Sequence, residues 1–151
     1  MNQEEKSLLR KDLSARLPYG VKCKYDSDDY CFGMITNISK YGVLKFAIKD
    51  VYSERIEKKI EDVKPYLFPL SSITEEQEKE LCSLIGTYVP GNPCSMYKQL
   101  GYRFVKMQRP MEGISIYLCG TVVDWLNAHY FDFRGLIERG LAIDATGLNI
   151  Y

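Results

Sequence analysis

The apolar residues change their spacing within the first 25 positions. Leu9, Leu13 and Leu17 recur every four residues, with Lys6, Arg10 and Lys11 off that line. Val21, Cys23 and Tyr25 recur every two, alternating with Lys22 and Lys24. The first spacing marks one face of a helix and the second one face of a strand. Pro18 and Gly20 stand between them as a helix stop. The chain therefore opens as helix and then strand, which points to an α+β fold.

The helix "NQEEKSLLRKDLSARL" carries Asn2 as its cap, with Glu5 three residues on as a capping-box partner. After "VKCKY", the stretches "YCFGMITNI" and "VLKFAI" read as two more strands separated by "SKYG", and Gly33 marks a bulge or a close backbone approach. "YSERIEKKIEDVKPY" contains Ile56, Ile60 and Val63. It reads as a short strand and turn, or as a charged helical turn; the unfinished meander favours the strand. Three or four antiparallel strands behind a helix predict a small SH3-like barrel or curled sheet. "KPYLFPLSS", with Pro65 and Pro69, reads as an extended connector packed through Tyr66, Leu67, Phe68 and Leu70.

In "TEEQEKELCSLIG", Thr74 and Gln77 form a second capping box. Glu75, Glu76 and Glu78 suit the positive end of the helix dipole, Leu81, Leu84 and Ile85 supply the apolar side, and Gly86 closes the helix. Pro90, Gly91, Asn92 and Pro93 predict a loop, and "YRFVKM" and "ISIYLCG" predict strands. A last helix is expected from Thr121, with Asp124 in its capping box and Val122, Val123, Leu126 and Tyr130 on its apolar side. A second short helix is expected after Asp132, ending near Arg139 and closed by Gly140. The expected whole is one α+β domain over residues 1–151 with a C-terminal helical motif, a size suited to one core.

Charge and cysteine usage limit the function classes. Twenty basic and twenty acidic residues cancel, so the chain has no global field to attract nucleic acid, which is not indicated as a partner. That argument concerns the whole chain and does not exclude a local basic patch. Lys22, Lys24, Lys40 and Lys45 enrich the β section, and Asp26, Asp28, Asp29 and Asp50 offset them. Tyr19, Tyr25, Tyr30, Tyr41 and Tyr52 lie there too, where strand propensity explains them better than a base-stacking platform.

Five cysteines (23, 31, 82, 94 and 119) show no C-x-x-C spacing, and a single histidine excludes a two-Cys, two-His zinc site within one chain. Reduced thiols are expected, with neither metal nor cofactor. "DSDD" lacks the glycine and glutamate of an EF-hand loop and reads as a turn. The charged N-terminus has no signal-peptide core, and no apolar run is long enough to span a membrane. A cytoplasmic protein is expected.

"DWLNAHYFDFRGLIERGLAIDAT" (124–146) holds the single tryptophan and the single histidine. Trp125 and His129, four apart, share a helix face. One reading makes His129 a general base oriented by Asp132, with Arg134 binding an anion. The other makes the stretch structural: His129 bonds at a helix end, Asp132 caps the next helix, and Gly135 allows close packing. The structural hinge is the expectation. His129, Arg134, Tyr130 and Trp125 are the residues that would line a ligand site, and no catalytic residue is assigned.

"KDLSARLPYGVK" (11–22), "IEDVKPYLFPLSSITEEQEKEL" (60–81) and the 124–146 stretch together resemble a group of small uncharacterised proteins of phages, prophages and mobile elements of gut anaerobic bacteria. The resemblance implies the cytoplasm of a bacterial host and transfers no catalytic residue. It implies a non-enzymatic binding protein that blocks a host factor, with homo-oligomerisation left open. The alternatives are a binder of a nucleotide-type small molecule and, behind it, a small hydrolase using His129. A host protein or a small molecule is the expected partner, and no membrane is.

Overall fold

The computed structural model describes residues 1–25, 32–47, 56–85 and 116–151, with the backbone alone at 32, 82, 85 and 116–119. The "DSDD" turn, Asp50, Cys31, Cys94, Gly86, the loop at 90–93 and the "YRFVKM" strand lie outside the described residues.

Helix α1 spans Gln3–Arg16. Its capping box is the expected one: Glu5 N–H donates to Asn2 Oδ1 (2.8 Å), and Asn2 N–H donates to Glu5 Oε2 (2.7 Å). Its buried face is Leu9, Asp12, Leu13 and Arg16, the i, i+3, i+4, i+7 series of an inward stripe. Two of those four inward positions are charged. Leu17 leaves that line for a 3₁₀ turn, Leu17–Tyr19, which Gly20 ends at φ +73°, where a side chain would be strained.

Strands β1 (Lys22–Lys24), β2 (Phe32–Ile38), β3 (Val43–Ala47) and β4 (Ile56–Lys59) form the expected antiparallel meander. The strand reading of 56–59 is the correct one of its two alternatives. The bulge sits between Ile35 and Asn37. Gly33 instead marks a close approach, since a Cβ there would stand 3.0 Å from Ala47 O.

After a 3₁₀ turn at Ile60–Asp62, the supposed connector "KPYLFP" is strand β5, Lys64–Pro69. It returns beside β1 in antiparallel pairing, and it pairs in parallel with β6 (Phe131–Asp132) and β7 (Ile143–Asp144). The order is β4-β3-β2-β1-β5-β6, with β7 also on β5. Two hydrophobic clusters explain why this strand shows no alternation. Leu67 packs into one with Leu9, Leu13, Cys23, Phe46 and Leu136; Phe68 packs against the other, formed by Leu81, Trp125, Leu126 and Phe131. Neighbouring residues on a strand face opposite ways. A strand covered on both sides reads as a continuous apolar run.

Helix α2, Glu75–Ile85, carries its expected box between Thr74 and Gln77. Leu81 is buried as expected, but Leu84 is 49% exposed and does not belong to the apolar side. Helix α3 runs Ile116–Ala128 and packs against α2. It overturns both the strand expected at "ISIYLCG" and the start at Thr121. A run that is apolar without a period does not distinguish a strand from a buried helix. The second short helix after Asp132 is also absent: residues 136–140 form turns. Asp132 is committed to the pairing with Pro69, and Gly135 sits at φ +70°, which right-handed helix does not use. The architecture is α+β: among the described residues, an N-terminal helix, an antiparallel-dominated sheet and two further helices. Among the described residues no helix is long and apolar enough to cross a membrane.

Candidate functional site

The C-terminal stretch is fastened to α1 by a buried charge cluster. Asp12 and Arg16, one helical turn apart, are both fully buried. Arg16 Nε donates to Asp12 Oδ2 (2.8 Å) and Nη2 to Asp12 Oδ1 (3.1 Å). The same guanidinium reaches across to β6, where Nη2 donates to Phe131 O (2.7 Å), and to the last turn of α3, where Nη1 donates to Leu126 O (3.5 Å). A cation at the carbonyl end of a helix satisfies otherwise orphaned acceptors and complements the dipole. Arg134 Nη1 then donates to Asp12 Oδ1 (2.6 Å), and both guanidinium groups lie against the Phe133 ring, at 4.2 Å for Arg134 and 5.5 Å for Arg16. One carboxylate thus joins two arginines, and the whole forms a clasp.

Trp125 and His129 are brought together as their spacing predicts, stacked with ring centroids 4.1 Å apart. Phe131 stacks on the tryptophan as well, at 5.6 Å. His129 Nδ1 faces Trp125 O at 3.0 Å; a carbonyl only accepts, so this nitrogen carries the proton. His129 Nε2 faces Glu80 of α2 at 3.5 Å. Asp132 does not orient the imidazole. Its two oxygens accept from Leu136 N (2.9 Å) and Ile137 N (2.8 Å), so it organises the turn that replaces the expected helix. Nothing lies within 4 Å of a Cβ at Gly135, so its role is the positive φ and not close packing.

Tyr130 occupies a third environment. It leaves α3 at φ +59°, an unusual conformation for a bulky residue. Its hydroxyl donates to Tyr19 O, and its ring stacks on Tyr151 at 3.8 Å. Tyr151 in turn accepts from Lys22 N (3.1 Å) and donates to Tyr66 O (2.9 Å). Burial raises both phenols above their ordinary value. Burial likewise raises the Cys23 thiol, which is free.

The four residues singled out from the sequence therefore fall into three places: Trp125 with His129, Arg134 in the clasp, and Tyr130 in a tyrosine stack. Asp12, Arg16, Phe133, Tyr151 and Glu80 were not singled out. For Asp12 and Arg16 a signal exists: they complete the inward stripe that Leu9 and Leu13 begin. Compared with protein-family models, with curated proteins and with solved structures, the chain matches none.

Proposed function

We propose that the protein works by binding and not by catalysis, as a phage- or mobile-element-type protein that occupies a host factor in the bacterial cytoplasm. The supporting observation is how the 124–146 stretch spends its polar groups. Arg134 is held by Asp12, Asp132 by two backbone N–H groups, and His129 by Trp125 O and Glu80. Among the described residues neither of the imidazole's partners, Trp125 O and Glu80, is a hydroxyl or a thiol that it could activate as a base. Such groups build a rigid frame for a surface.

The test is co-purification at fixed stoichiometry from a host of the gut-anaerobe type, with His129→Gln and Asp132→Asn as comparisons. Retention of the same host protein by both folded variants supports the proposal. A variant that folds and keeps its partner but loses its biological effect overturns it in favour of a working site.

A second reading, sequestration of a nucleotide-type molecule, has one observation in its favour. Trp125 Nε1 and Asn127 Oδ1 are buried without a hydrogen-bond partner among the described residues, and such groups are costly to leave unpaired. Quenching of the Trp125 emission by added nucleotides tests it.

A further inference from the structure

One carboxylate in the clasp answers two guanidinium groups. Asp12 meets both Arg16 and Arg134, so these three groups together keep one unit of positive charge in a mostly buried place. Arg16 has no nitrogen to spare. Its Nε goes to Asp12, its Nη1 to Leu126 O, and its Nη2 to Asp12 and Phe131 O. Arg134 differs, because it gives Asp12 a single nitrogen, Nη1.

The remainder of the Arg134 side chain is held in place and left uncommitted. Its flat face lies over the Phe133 ring at 4.2 Å. The turn that carries it is closed by Asp132, which accepts from Leu136 N and Ile137 N. Asp132 therefore faces N–H groups and forms no ion pair with either arginine. Nε and Nη2 of Arg134 donate to no group among the described residues. The side-chain atoms that are both enclosed and unpaired there are Trp125 Nε1 and Asn127 Oδ1. The two Arg134 nitrogens are not enclosed in that way, so they reach solvent although the side chain is only 14% exposed.

Nε and Nη2 form the edge of a guanidinium that can hold a carboxylate by two parallel bonds. Arg16 uses this edge on Asp12, with Nε donating to Oδ2 and Nη2 to Oδ1. Arg134 presents a second copy of the edge. Asp12 and Phe133 already orient it, so little side-chain freedom remains to be lost on binding. Charge selects among oxyanions. A carboxylate brings one negative unit, which makes the cluster neutral. A phosphate dianion would leave an excess negative unit beside the buried Asp12, and the clasp holds no third cation to match it.

We propose that the Nε–Nη2 edge of Arg134 is a binding site for a single carboxylate, of the kind that an aspartate or glutamate side chain of a partner protein supplies. The partner rests on the binding reading above; the site does not, and the experiment addresses the site alone.

The experiment follows the Nε–H resonance of Arg134 by NMR in isotopically labelled protein at neutral pH. Sodium acetate replaces sodium chloride at constant ionic strength, and sodium phosphate replaces it in a second series. The Arg134 resonance is identified by its loss in Arg134→Lys. The expected result is a shift that saturates, half complete at millimolar acetate. The Nε–H of Arg139, which is exposed, should move weakly and without saturation. The backbone N–H of Gly135 should follow the Arg134 curve, and it remains as a reporter in Arg134→Lys. That variant keeps the charge and loses the fork, so it should bind acetate at least about tenfold more weakly. An Arg134 response as weak and linear as that of Arg139 overturns the proposal. So does undiminished acetate binding by Arg134→Lys with its circular dichroism unchanged. Tighter binding of phosphate than of acetate overturns the choice of a carboxylate. Co-purification of a host protein does not enter these readouts, so the site and the binding reading fail separately.

Discussion

Asp12→Ala tests whether the clasp holds α1 to the C-terminal stretch. The substitution strands Arg16, which is fully buried and keeps only the carbonyls of Phe131 and Leu126 as acceptors. Breaking a buried pair by removing one partner costs about 3–5 kcal/mol. Arg134 also loses its carboxylate, but its side chain is 14% exposed and reaches water. The expected cost is therefore in the lower half, about 3–4 kcal/mol. At about 2–4 °C per kcal/mol for a chain of this size, the melting temperature should drop by roughly 6–16 °C.

Arg16→Met should cost at least as much, because it leaves Phe131 O buried and unpaired at about 1–3 kcal/mol. The double variant Asp12→Leu/Arg16→Met should cost less than the two single changes together, since a buried pair exchanged for apolar groups no longer pays for desolvated charge. The assay is thermal unfolding followed by far-ultraviolet circular dichroism and by Trp125 fluorescence. The first probe reports the helices and sheet as a whole and the second the C-terminal stretch, and both midpoints should move together. An Asp12→Ala protein that melts within about 2 °C of the parent refutes the reasoning. So does a double variant whose cost equals the sum of the singles.

Trp125→Ala should cost about 3–5 kcal/mol in urea unfolding, because the indole is 5% exposed and stacked between His129 and Phe131. Asp132→Asn should not be the mild cap exchange that cap preferences suggest. Both carboxylate oxygens accept, and the amide would turn a donor toward one of the two N–H groups, costing about 1–3 kcal/mol by chemical denaturation. Tyr151→Phe should narrow its stability gap from the parent at alkaline pH. The buried phenol has its pKa raised, chiefly by burial, so its contribution is complete below the unfolded value of about 10 and is lost as pH rises beyond it. Unfolding free energies of both proteins at neutral and at alkaline pH check this; a gap that stays constant contradicts it.

Local chemistry was legible because its causes lie within a few residues. The boxes at Asn2 and Glu5 and at Thr74 and Gln77, the stop at Gly20 and the alternation around Cys23 depend on neighbours in sequence, and each is present. That Trp125 and His129 lie on one face followed from the helical repeat, and the structure adds that their rings stack. Three other features depended on partners far along the chain. "KPYLFP" is a strand because β1 takes one edge while β6 and β7 pair with it from the C-terminal stretch, and an apolar run with two prolines does not announce such neighbours. The turn after Asp132 is held by a carboxylate that parallel pairing with β5 puts in place, so capping chemistry was read correctly and assigned to the wrong structure. The inward turn of Asp12 and Arg16 makes sense only once Leu126, Phe131 and Arg134 arrive to satisfy them. The sequence by itself determined a neutral chain, through its composition, and an α+β pattern, through the spacing of its apolar residues. Only the sheet register decided that five of its lysines (Lys22, Lys24, Lys45, Lys59 and Lys64) share one side of the sheet, because side chains two residues apart on a strand, or opposite one another on two strands, share a side whatever their distance in sequence.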